Sequence, residues 1–144
     1  MEIETTLEWF YFADADYDSA IILNDAHRKH NEIICYHCQQ AVEKYLKAFL
    51  CYNGIIPPKI HVLETLCASC SEFDVSFNQI AKECAYLSPF VVQARYPLEM
   101  EVTGSNTVKA LEIAGKVKSF PAIAGLKEKL VEENESPEAG EEKS

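Results

Sequence analysis

Apolar residues recur every three or four positions along most of the chain, and no run alternates apolar and polar residues between turn signals. The first segment, from about Thr5 to Asp25, puts Trp9, Ala13, Tyr17, Ala20 and Leu23 on one stripe. Thr5 or Thr6 can cap it, and Glu8 suits the positive end of the helix dipole. The second runs from Asn31 to Tyr52, where Asn53-Gly54 supplies a left-handed terminus and Pro57-Pro58 forbids resumption. A third starts near His61 and carries Leu63, Leu66, Cys67 and Cys70 on one face. A fourth runs from about Asp74 to Leu87. Ser88-Pro89 then reads as an N-cap with proline at the first helical position, opening a short helix that must stop before Pro97. A fifth spans Ser105 to Ser119. These patterns predict an all-α, up-and-down bundle of about five helices over residues 1–125, with residues 126–144 as an acidic, disordered tail.

Charge sharpens that division. The chain has 144 residues and a net charge of −10, enough length for one domain with a real core. Residues 1–25 hold seven acids and no base, and residues 131–144 hold six acids and one lysine. The remaining stretch has ten acids and twelve bases. A local basic patch is therefore available, but the generally basic surface of a nucleic-acid binder is not. No run approaches the length of a membrane span, and the acidic opening "MEIETTLEWF" is unlike a signal peptide. The expectation is a cytoplasmic protein with no membrane partner, whose six cysteines are reduced.

Two Cys-x-x-Cys pairs, Cys35/Cys38 and Cys67/Cys70, raise the question of zinc or redox chemistry. On a helical wheel the first pair falls in the apolar arc of the second helix, with Ile34, Ala41, Val42, Tyr45, Leu46, Ala48, Phe49 and Tyr52. The second pair lies in line with Leu63 and Leu66. Structural zinc draws its ligands from tight turns, and a thioredoxin-like dithiol follows a strand. Neither context is present, so the cysteines read as core and no metal or cofactor is expected. A structural zinc-binding protein is the alternative.

The opposite arc of the second helix carries His37, Gln39, Gln40, Glu43, Lys44 and Lys47, interrupted by Tyr36 and Leu50 as exposed apolar area. It is either a solvated face with a Glu43–Lys47 ion pair or a binding groove with two lysines facing an anion. In "ARYP", proline ends the helix at Tyr96, so Arg95 sits at a helix C-terminus. Asp16 is its expected partner in a structural clamp; contact with an anion or nucleotide is the other reading. His61, three residues before Glu64, resembles a capping box and is assigned a structural role before a catalytic one. His27, His30 and His37 read as scattered surface residues. Phosphate-binding glycine loops, nucleophile elbows and His-Glu-x-x-His are all absent.

Four stretches occur in order: "EWFYFADADYDSA", "YHCQQAVEKYLKAFL", "NGIIPPKIHVLETL" and "LSPFVVQARYP". Together they resemble the HEPN domain family, small helical bundles named for nucleotide binding, over roughly residues 5–120. The resemblance implies a homodimer and a nucleotidyltransferase-type partner in a toxin–antitoxin-like or related two-component system, with nucleotide or RNA as a further ligand. Gln40, Glu43, Lys44, Lys47, Arg95 and Tyr96 match the family's recurring polar positions and become the candidate binding residues. Asp16 and His61 match as structural ones. Several branches of the family are metal-independent ribonucleases marked by an arginine, four to six residues, then a histidine. That signature is missing: Arg28 is too close to His30 and too far from His37, and no histidine follows Arg95. A non-catalytic module is the expectation. A ribonuclease using Arg95 and His61 is the alternative.

Overall fold

The computed structural model describes residues 3–93 and 101–135, and every regular element among them is helical. The elements are α1 (Ile3–Asn24), α2 (Asn31–Tyr52), α3 (Leu63–Ser71), a 3-10 turn (Val75–Ile80), α4 (Ala81–Leu87), α5 (Phe90–Gln93), α6 (Gly104–Lys118) and α7 (Pro121–Asn134). The all-α bundle expected from the periodicity is the fold.

The axis of the bundle is α2, which packs against α1, α3, α5 and α6. Antiparallel pairing with α1 sets His37 against Asp16 at one level and Lys47 over the Trp9 ring at the other. On its far side the Cys35 thiol meets the Thr107 hydroxyl of α6 at 3.8 Å, and Thr107 donates to Asn31 at 2.7 Å. The C-terminus of α2 closes as a Schellman motif. Ile55 N–H reaches Leu50 O at 3.0 Å, Gly54 N–H reaches Cys51 O at 3.0 Å, and Gly54 supplies φ +84°. Thr103 and Asn106 form a reciprocal capping box at the start of α6.

The four cysteines of the two pairs lie where the wheel put them, in the core. Three of their thiols have separate partners: Cys35 meets Thr107, Cys67 donates to Phe77 O at 3.2 Å and Cys70 to Leu46 O at 3.5 Å. Among the described residues no three His, Cys, Asp or Glu side chains are grouped to hold a metal ion. No helix of the described residues is long and apolar enough to cross a membrane.

Several local expectations need correction. Because α1 begins at Ile3, Thr5 and Thr6 lie inside it rather than at a cap. Its buried stripe is Thr6, Phe10, Ala13 and Ala20, with Trp9, Tyr17 and Leu23 half-buried beside it. Four consecutive aromatics, Trp9 to Tyr11 and Phe12, blur the periodicity there, so packing on α2 chose the stripe. The fourth predicted helix is broken at Ile80 (φ −114°, ψ 13°) into the 3-10 turn and α4; Asp74 caps the turn by accepting from Ser76 N–H. The Ser88 hydroxyl, expected to cap a new helix start, instead accepts the Leu63 N–H at 2.8 Å.

The largest correction is α7. The composition places residues 126–134 in a disordered tail, yet the helix runs to Asn134 and buries Ile123, Leu126 and Leu130. Those apolar residues are spaced at three and four, a signal diluted by the acids around them. Residues 136–144 and the Ala94–Pro97 stretch, with Arg95 and Tyr96, lie outside the described residues.

Candidate functional site

Helix α1 contributes acids and no bases, so its inward-facing carboxylates must draw cations from other helices. Asp16 does so from α2. Its Oδ2 accepts from Lys44 Nζ at 2.5 Å and its Oδ1 from His37 Nδ1 at 2.9 Å. Burial works to raise the Asp16 carboxyl, but the bonds from His37 and Lys44 outweigh it and hold its pKa below the ordinary value. Among the described residues Asp16 is thus held by His37 and Lys44; Arg95, its expected partner in a clamp, lies outside them, and His37 is a bonded residue and not a scattered one.

One turn further along α2 lies a second polar group. Lys47 Nζ donates to Glu43 Oε2 at 2.9 Å, and Gln39 Nε2 and Gln40 Nε2 each donate to Glu43 Oε1 at 3.3 Å. Gln39 Nε2 also donates to His61 O at 3.1 Å, and Gln40 Nε2 to Gln39 Oε1 at 2.8 Å. His61 Nδ1 stands 3.1 Å from both Glu43 oxygens. Since a carboxylate only accepts, Nδ1 carries the proton and Nε2 is left as the basic nitrogen of the ring. The capping role assigned to His61 with Glu64 is not formed, because α3 starts at Leu63 with Val62 as its N-cap.

The arc is not a solvated face, although the Glu43–Lys47 ion pair expected of it is formed. Gln39 is 0% exposed, Glu43 4% and Lys47 5%, and Leu50, expected at the surface, is 1% exposed. The segment that carries His61 crosses the arc on one side while Trp9 covers Lys47 from α1, with its ring centroid 5.8 Å from the ammonium. Of the candidate binding residues on α2, Gln40 and Lys44 keep partial exposure; Glu43 and Lys47 are turned inward. Lys44 joins Thr5, Glu8, Trp9 and Phe12 in lining a shallow groove of about 250 Å³. Phe12 (53% exposed) and Tyr11 (68% exposed) stand edge to face at the same level of α1.

On another part of α1 a third cluster, which the sequence did not reveal, gathers around Asp14. Lys127 Nζ lies 2.5 Å from its Oδ2 and Lys118 Nζ 3.1 Å from its Oδ1, and the buried Tyr45 hydroxyl donates to Oδ1. Burial again acts to raise the carboxyl, and the bonds from Lys127, Tyr45 and Lys118 bring it net below its usual value. Its partners lie 31 to 113 residues away along the chain, beyond the reach of any local pattern. The available clue was the absence of any base on α1.

Comparison with known proteins agrees with the architecture. The family model described as the HEPN domain matches residues 6–124, most of the chain, and the protein belongs to that family. No curated protein and no solved structure matches it.

Proposed function

We propose that the protein is a non-catalytic, homodimeric HEPN module that works by docking a nucleotidyltransferase-type partner, in a toxin–antitoxin-like or related two-component system. The observation that carries this reading is the exposed Tyr11–Phe12 pair beside the groove of Trp9, Glu8 and Lys44. An apolar surface rimmed by charge is the usual mark of an interaction site. The absent arginine–histidine signature supports a binding role over a catalytic one. A nucleotide or RNA strand would meet the same face, with Tyr11 and Phe12 as stacking rings and Lys44 as the cation.

The test is co-expression with a nucleotidyltransferase-type protein encoded beside the gene, followed by co-purification and light scattering. The reading expects a stable complex containing two copies of this chain, lost on Phe12→Asp. A chain that stays monomeric and captures neither that protein nor nucleotide overturns it.

One observation favours a second reading as a ribonuclease. Glu43 fixes the His61 tautomer so that Nε2 is the basic nitrogen, the arrangement a general base toward a ribose 2′-hydroxyl requires. RNA cleavage by the wild type that is lost in both His61→Ala and Arg95→Ala would establish it; equal cleavage by the variants would remove it.

A further inference from the structure

A cleft of about 460 Å³ opens between α1 and the corner where α6 passes into α7, sharing no residue with the Trp9 groove. That volume is in the range of small-molecule sites, roughly 300–1,000 Å³. Ala124 and Val131, half-buried over the core residues Phe10 and Ile123, give it an apolar wall, and Asp14, Lys118 and Lys127 stand at its polar end. Each ammonium has three N–H donors and spends one on Asp14. Lys118 also lies over the Tyr17 ring, 5.5 Å from its centroid. Both lysine side chains keep more than a third of their surface exposed, so donors remain for a ligand. Asp14 is the carboxylate bonded to both ammonium groups, and the other carboxylate of the lining, Glu128, is exposed on α7.

We propose that this cleft binds a small organic monocarboxylate with an apolar or aromatic body. Its carboxylate bridges Lys118 and Lys127, and its body lies on Ala124 and Val131. Charge counting favours a monoanion: the lining holds two lysines and two carboxylates, so a monocarboxylate adds one negative charge to a half-buried place where a phosphate dianion adds two. The apolar walls select an organic body over a free inorganic ion.

The experiment is calorimetric titration of 3-phenylpropionate into the full chain, with 3-phenyl-1-propanol and phenyl phosphate as comparison arms. The carboxylate is expected to bind at least about tenfold more tightly than the alcohol, the effect of losing one charge-assisted hydrogen bond. Phenyl phosphate is expected to bind more weakly than the carboxylate. Lys118→Met and Lys127→Met should each weaken binding by about tenfold. Asp14→Asn should tighten it, because both ammonium groups are released toward the ligand, an outcome that a purely structural Asp14 would not give. Where a variant fails to fold by circular dichroism, the methyl resonances of Ile123 and Val131 in the wild type report binding directly. Equal affinity for the alcohol, tighter binding of the phosphate, no effect of the lysine substitutions, or no methyl shift at millimolar ligand would each overturn the proposal.

Discussion

The Glu43 carboxylate and the Lys47 ammonium lie 2.9 Å apart one turn along α2, with only 5% and 6% of their side chains exposed. Two charges so far from water are held by each other and by Gln39, Gln40 and His61 around them. Removing one partner from such a pair leaves the other buried and uncompensated. Glu43→Gln should therefore cost about 3–5 kcal/mol in urea denaturation. The double variant Glu43→Gln/Lys47→Met should recover part of that loss. A single variant as stable as wild type would mean that Lys47 escapes to solvent.

The thiols should be inert in the native state. All six cysteines are buried, and burial, with Cys35 nearby, pushes the Cys38 thiol up to about 12. Ellman's reagent at neutral pH should label none of them until denaturant is added, after which all six react. Stoichiometric labelling of native protein would contradict the packing of α2 against α3.

Acid should loosen the α1 attachments. Asp14 and Asp16 have folded pKa values below the ordinary 3.8, so the unfolded chain takes up protons first as pH falls. Their contribution is fully present above that ordinary value and is lost as pH falls through the folded values. The urea midpoint of wild type should drop in this window. An Asp14→Asn/Asp16→Asn variant should start lower at neutral pH and fall less steeply in the same range. Parallel curves would place the acid sensitivity elsewhere.

Helix α7 should be part of what the bundle needs to fold. A chain ending at Gly125 removes Leu126 and Leu130 from the core, and with them the Lys127–Asp14 and Lys129–Tyr52 bonds. It should melt well below wild type, while a chain ending at Glu135 should match it. Leu130→Ala alone, at 0% exposure, should cost about 2–5 kcal/mol. Equal melting of the shorter chain would restore residues 126–134 to the tail.

What the residues determined alone is local. The span of α2 from Asn31 to Tyr52 follows from its apolar period and from Asn53-Gly54, because caps and left-handed termini act within a few residues. The burial of Cys35, Cys38, Cys67 and Cys70 follows from the same angular arithmetic. The tertiary structure decided what covers the remaining faces. A wheel places Gln39, Glu43 and Lys47 on a polar arc but carries no information about the Trp9 ring and the His61 segment that close over it. Likewise Asp14 became the meeting point of Lys118 and Lys127 only when α6 and α7 came to rest beside α1. Charges so distant in sequence are brought together by the packing of apolar faces, and that packing fixes which of them are buried, paired or left facing water.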